Sequence, residues 1–307
     1  MKRIINYISS FGIILFLLKM ILKILEKIRY RGKIYIKINN IKHSKMNKYL
    51  IKKYGYLLKK CDITTIDNKI ENDIIWLFWY QGIENAPLLV KKCVESIERE
   101  CNDYKIIIIS KDNIDEYYQT PSYIKEKLEN NQITLTHFSD ILRMNLLSKY
   151  GGYWMDATIY LTDNPFENSD FYTIKYHCKD NTNISFGRWC GFFIGGNNPI
   201  LYNFMSNFFN EYWKKEKVII DYFLIDYAIN MAYENINEIN KTINKVPYNN
   251  ENILKLQTIL NEQYNKKDYE KLIKNNAVHK LSFKTKFDNN KDTFYNRIIN
   301  KIGDCNE

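Results

Sequence analysis

Two apolar runs constrain the fold more than any other feature of this chain. They are Asp73-Ile74-Ile75-Trp76-Leu77-Phe78-Trp79-Tyr80 and Tyr104-Lys105-Ile106-Ile107-Ile108-Ile109. Neither alternates apolar with polar residues, so each reads as a strand buried on both faces, with helices above and below. Between them Gln81-Gly82 ends the first run, and Pro87 opens a helix whose Leu89, Val90, Cys93, Val94 and Ile97 form one side. Residues 112–129 predict helices broken at Pro121. Strand, helix, strand, helix, strand predicts an α/β domain: a mostly parallel sheet flanked by helices and joined by right-handed crossovers. Ligands of such sheets collect outside the carboxyl ends of the strands. Trp79-Tyr80-Gln81 and Asp156-Ala157-Thr158 are the segments so placed.

The second informative stretch is SDILRMNLLSKYGGYWMDATIYL, residues 139–161. Ser139 suits a helix N-cap, and Phe138, Ile141, Leu142 and Leu146 recur at roughly helical spacing. Gly151 follows the last apolar residue, where a left-handed cap is cheapest without a side chain. Tyr153-Trp154-Met155 and Ile159-Tyr160-Leu161 then read as buried strand on either side of Asp156. A carboxylate among apolar neighbours is costly unless it is paired or binds a cation. Asp140 and Arg143, one helical turn apart, share a face that can approach it. Asp140 would otherwise stabilise the helix dipole from the first turn, with Arg143 as its ion-pair partner.

Composition narrows the class without choosing a partner. With 307 residues, 45% hydrophobic and 26% charged, the chain is ordinary globular material. A formal charge of +10 favours anionic partners: nucleic acid, acidic lipid or nucleoside diphosphates. Lys and Arg are scattered and no nucleic-acid reader motif is present, so no nucleic acid is expected as a partner. Cys61, Cys93, Cys101, Cys178, Cys190 and Cys305 show neither CxxC nor zinc-type pairing and read as reduced thiols of a cytoplasmic protein. There is no P-loop, no GxGxxG and no Ser-His-Asp arrangement.

The first 33 residues form a segment of their own. Lys2 and Arg3 precede an apolar run from Phe11 to Leu18, which Lys19 and Lys23 interrupt before Leu25. A spanning helix needs about 20 mostly apolar residues, and these lysines fall where its second half would lie in hydrocarbon. No small-residue cleavage site follows, against a signal peptide. The segment reads as an interfacial helix on an anionic membrane surface, helped by Arg29, Arg31 and Lys33, or as a helix packed on the protein's own core. Residues 34–70 read as a Lys/Asn-rich, partly helical connection, and the main domain as residues 71–307. Within that domain Trp189–Gly196 reads as a strand ending in a turn at Asn197-Asn198-Pro199. A helix is predicted from Asp221 to about Glu234, with Asp221 as N-cap, which leaves Asp226 as the candidate functional carboxylate.

The spacing of SDILR (139–143), YGG (150–152) and WMDAT (154–158), with the opening strand IIWLFWYQG (74–82), resembles bacterial capsular polysaccharide synthesis proteins and DXD-motif sugar transferases of the glycosyltransferase family 32 type. The resemblance covers residues 71–200 best. It implies a GT-A (nucleotide-diphospho-sugar transferase) fold, a nucleotide-sugar donor carrying a hexose or N-acetylhexosamine, Mn²⁺ or Mg²⁺, and retention at the anomeric carbon. It further implies a glycan or lipid-linked oligosaccharide as acceptor, while the interfacial reading of the first 33 residues would set the protein at the inner face of the cell membrane. By analogy Trp79, with Tyr80 and Gln81, would meet the uracil, though core packing is the rival reading of Trp79. Asp140 and Arg143 would hold the sugar, and Asp156 would stand by the ribose and the metal. The motif's usual final Asp is Thr158 here, a neutral and weaker ligand for a hard cation. Near the C-terminus, His279 would complete the metal shell and Lys280 would meet the diphosphate, unless this is a surface loop with one solvated His. A non-catalytic basic membrane-surface or nucleic-acid-binding protein is the alternative class, and it leaves Asp156 unexplained.

Overall fold

A computed structural model describes residues 2–60, 73–166, 170–178, 182–274, 276–287 and 292–300. Three helices come first: α1 (Lys2–Phe11), α2 (Ile13–Lys27) and α3 (Lys33–Tyr54). β1 (Ile74–Phe78), α4 (Leu88–Glu100) and β2 (Lys105–Ile109) follow, then α5 (Ile114–Tyr117), α6 (Ser122–Glu129), α7 (Leu135–Tyr150) and β3 (Tyr153–Met155). Next come β4 (Ile159–Leu161), β5 (Phe171–Thr173), β6 (Phe193–Gly196), α8 (Pro199–Lys215), α9 (Leu224–Asn235) and α10 (Asn237–Lys245). The chain then forms α11 (Lys255–Ile259), α12 (Lys266–Ile273), β7 (Val278–Lys280) and α13 (Phe294–Asn300).

The main sheet has the order β2-β1-β3-β6-β5. β1 pairs in parallel with β2 and β3, while β6 runs antiparallel to both β3 and β5. Four strands therefore share one direction and β6 alone opposes them, as a mostly parallel sheet requires. Alternation along β1 sends Ile74 and Trp76 into one core with Ile109, Trp154 and residues of α7, α8 and α9. Ile75 and Leu77 face the other way, onto Val90, Val94 and Ile97 of α4. Both faces are covered, which is why neither apolar run alternates with polar residues. Gly152 fixes the entry to β3: its φ is +78°, and a Cβ there would stand 2.4 Å from the Ile74 carbonyl oxygen.

Several expected elements take different bounds. α7 begins four residues before Ser139, because Thr134 is the N-cap and its hydroxyl accepts the His137 N–H at 3.2 Å. Ser139 lies inside the helix, where its hydroxyl donates to the Thr136 carbonyl at 2.6 Å. Of the strand expected over Trp189–Gly196, only Phe193–Gly196 is extended, since the Phe193 N–H turns back to the Cys190 carbonyl at 3.1 Å. α9 starts at Leu224, and Asp221 sits in the preceding turn, accepting the Phe223 N–H at 3.1 Å.

The N-terminal segment is two helices, parted where Gly12 takes φ +85°. Leu15 and Leu22 are buried, the Tyr7 hydroxyl donates to the Ile220 carbonyl at 2.8 Å, and Lys19 pairs with Asp221 at 3.1 Å. The outer side of α2 stays exposed: Ile14, Leu17 and Ile24 are each at least half open to solvent. Of the connection expected over 34–70, residues 34–54 belong to one long helix, whose Met46, Leu50 and Tyr54 are fully buried in the main core. Residues 61–70, the boundary near residue 71, Cys61 and Cys305 lie outside the described residues. Cys93, Cys101 and Cys190 are free, buried thiols.

Candidate active site

β1 and β3 end side by side. Their register pairs Trp76 with Trp154, so Asp156 comes level with Phe78, one residue short of Trp79. The Asp156 N–H is fixed by the Phe192 carbonyl at 2.9 Å. Its side chain, 27% exposed, is the centre of a cluster assembled from three elements. From α7, the Arg143 guanidinium lies 3.1 Å from Asp156 Oδ1 and 3.2 Å from Asp140 Oδ1. From β3, the Trp154 indole N–H donates to Asp156 Oδ1 at 3.0 Å, and its ring lies 4.9 Å below the guanidinium. From β7, the Lys280 ammonium donates to Asp156 Oδ2 at 2.6 Å and to Thr158 Oγ1 at 2.7 Å. Two carboxylates thus face two cations at the carboxyl edge of the sheet.

Burial alone would raise the Asp156 carboxyl; Lys280 and Arg143 outweigh it and hold the group below the usual carboxylate range. Asp140 is the sixth residue of α7 rather than a member of its first turn, so the helix dipole does not account for it. Its partners are Arg143 and, at 3.4 Å, His137 Nδ1. Arg143 also donates to the Gly191 carbonyl, which anchors it to the turn before β6.

Asp226 forms part of the adjoining wall. It is buried on α9, where the Trp189 indole donates to Oδ1 at 3.0 Å and Asn183 to Oδ2 at 2.9 Å. Burial lifts its carboxyl to about 6, against the pull of those two hydrogen bonds. Its neighbour Ile225 is close enough to Gly191 that a Cβ there would meet it at 3.2 Å, beside the Arg143 guanidinium. On the other side, Trp79 is half-buried and its ring meets Phe283, three residues beyond Lys280, edge-on at 5.4 Å. Tyr80 is half-buried and Gln81 exposed beside it.

His279 departs from expectation. It is fully buried, with Nε2 3.3 Å from Thr162 Oγ1, and burial pushes its imidazole down to about 4. Strand alternation explains this: on β7 the side chain before Lys280 must point to the opposite face. A divalent cation takes oxygen ligands at about 2.0–2.6 Å. Here the Asp156 and Thr158 oxygens that would supply them both hold one ammonium, and among the described residues no three His, Cys, Asp or Glu side chains gather to hold a metal. As folded, these residues do not fit Mn²⁺ or Mg²⁺.

Sequence reasoning missed Trp154, Gly191 and Phe192, whose ring lies 5.1 Å from the Lys280 ammonium. It also missed exposed Tyr222, which stands within electrostatic reach of Asp140 and Asp156. Trp154 carried a signal, standing two residues before Asp156 and so on the same side of an extended chain. The others belong to turns that only the tertiary fold brings near.

The sheet order, its helical cover and this edge cluster make the chain an α/β protein compatible with a GT-A-like architecture. The family model for capsular polysaccharide synthesis proteins matches residues 27–298, and the chain belongs to that family. Membership points to a role in capsule biosynthesis. No curated protein matches the sequence.

Proposed function

We infer that the protein is a glycosyltransferase that moves a hexose or N-acetylhexosamine from a nucleotide-sugar, a UDP-sugar by preference, to a growing cell-surface polysaccharide or lipid-linked oligosaccharide. The observation that carries this reading is the pairing of Arg143 and Lys280 with Asp140 and Asp156 beyond the ends of β1 and β3. Breaking a sugar–diphosphate bond leaves negative charge on the departing phosphate and positive character on the sugar carbon. Arg143 and Lys280 receive the first, and Asp140 and Asp156 stabilise the second while holding sugar hydroxyls. The acceptor oxygen bonds to the anomeric carbon as the bond to the diphosphate breaks, and the acceptor proton passes to that diphosphate, with retention of configuration.

Trp79 stacks on the uracil, a type of contact worth about 1–3 kcal/mol per base. Asp226, ionised at neutral pH, orients the acceptor hydroxyl. The exposed isoleucines of α2, with Lys23 and Lys27 among them, rest on the anionic inner face of the cell membrane, where lipid-linked acceptors reside. Calorimetry with UDP tests the donor assignment. Binding by the wild type that weakens at least about tenfold in Arg143→Gln supports it; no binding of UDP counts against it.

A further inference from the structure

The cation of this site is part of the chain. We propose that Lys280 occupies the position a divalent metal would take between Asp156 and Thr158, and that donor diphosphate is received by Lys280 and Arg143 without a metal ion. The proposal takes its ligand from the transferase reading but rests on three observations about the protein alone.

The first is geometry. One ammonium bridges Asp156 Oδ2 at 2.6 Å and Thr158 Oγ1 at 2.7 Å, the two side chains that such a motif would offer to a metal. Asp156 Oδ1 already accepts from Arg143 and from the Trp154 indole. A metal within bonding distance of both oxygens would overlap the Lys280 nitrogen and repel it at close range.

The second is charge. Asp140 and Asp156 are balanced by Arg143 and Lys280, and the final position of the motif is a neutral hydroxyl. A carboxylate at that position would leave negative charge for a divalent ion to neutralise; Thr158 leaves none. The cluster is therefore neutral without a metal, and the positive charge that meets the dianionic diphosphate is that of Arg143 and Lys280.

The third is fixation. Lys280 is not a mobile surface lysine. β7 pairs with β4 in the register Ile159 to Lys280, the Lys280 N–H donates to the Ile253 carbonyl at 2.9 Å, and the Leu281 N–H donates to the Thr158 carbonyl at 2.9 Å. The strand that carries the ammonium is thus tied to the loop that carries Thr158. The side chain is 20% exposed, so it is held in place yet open to an incoming phosphate.

Two measurements test the assignment. In the first, metal-stripped wild-type protein is titrated with Mn²⁺ alone and followed by electron paramagnetic resonance. The proposal expects no Mn²⁺ site that depends on Asp156; a site present in the wild type and lost in Asp156→Ala overturns it, whether or not any nucleotide binds. In the second, UDP is titrated in EDTA and again in excess Mn²⁺. Wild-type affinity should agree within about twofold between the two, while Lys280→Met weakens it roughly 10- to 100-fold, the range for a charge-assisted hydrogen bond. Lys280→Arg, which keeps the charge, should recover part of that loss. UDP binding that disappears in EDTA refutes the built-in cation. Absence of UDP binding under both conditions refutes the donor assignment instead and leaves the first measurement to decide.

Discussion

A single buried imidazole records how β7 is oriented. Lys280 reaches Asp156 only because its neighbour His279 turns inward, and that burial lowers the imidazole to about 4 from an ordinary 6.5. Between those values the unfolded chain binds the proton and the native state does not, so stability rises with pH across this window and falls on acidification. From pH 7 to pH 5 the wild type should lose roughly 2 kcal/mol more than His279→Gln, which keeps a polar partner for Thr162 but does not titrate. Urea unfolding at the two pH values measures the difference, and parallel pH dependence in both proteins would contradict the buried, neutral imidazole. The sequence showed that Asp156 required compensation, because an isolated carboxylate among Trp154, Met155 and Ile159 is otherwise too costly. It did not show which side chain compensates. His279 and Lys280 were equally available, and only the strand's face, set by pairing with β4, chooses between them.

Helices and strands were legible where apolar periodicity ran unbroken. β1, β2 and α4 fall where their residues place them, and Pro121 parts α5 from α6. α3 was legible only as a partly helical connection, for a physical reason: its inward side includes Tyr35, Asn39, His43 and Tyr54, so no apolar stripe marks it. Polar contacts secure that side instead, with His43 Nδ1 2.6 Å from the Tyr227 hydroxyl and the Tyr54 hydroxyl donating to Glu216 at 3.0 Å. α2 presents the reverse case, since it keeps more apolar surface outside than its packing uses. If that side meets lipid, Ile14→Glu and Ile24→Glu together should lower binding to anionic phosphatidylglycerol vesicles by about tenfold or more per residue. Folding should be unaffected, because both side chains already face solvent. Unchanged co-sedimentation of the double variant would remove the membrane role from α2.

The whole molecule unites a helical N-terminal layer and a mostly parallel sheet in one core, with the charged cluster at the sheet's carboxyl edge. Among the described residues no helix is long and apolar enough to cross a membrane. Family membership points to a role in capsule biosynthesis, and the transferase reading adds a reason for two carboxylates and two cations to converge at one strand end. Donor hydrolysis tests that reading most directly, because slow transfer to water needs no acceptor. Incubated with a panel of nucleotide-sugars, the wild type should release nucleoside diphosphate from at least one donor. Asp156→Ala, with an unchanged circular dichroism spectrum, should be slower by about 100-fold or more. Hydrolysis of no donor, or equal rates in wild type and variant, would contradict the account.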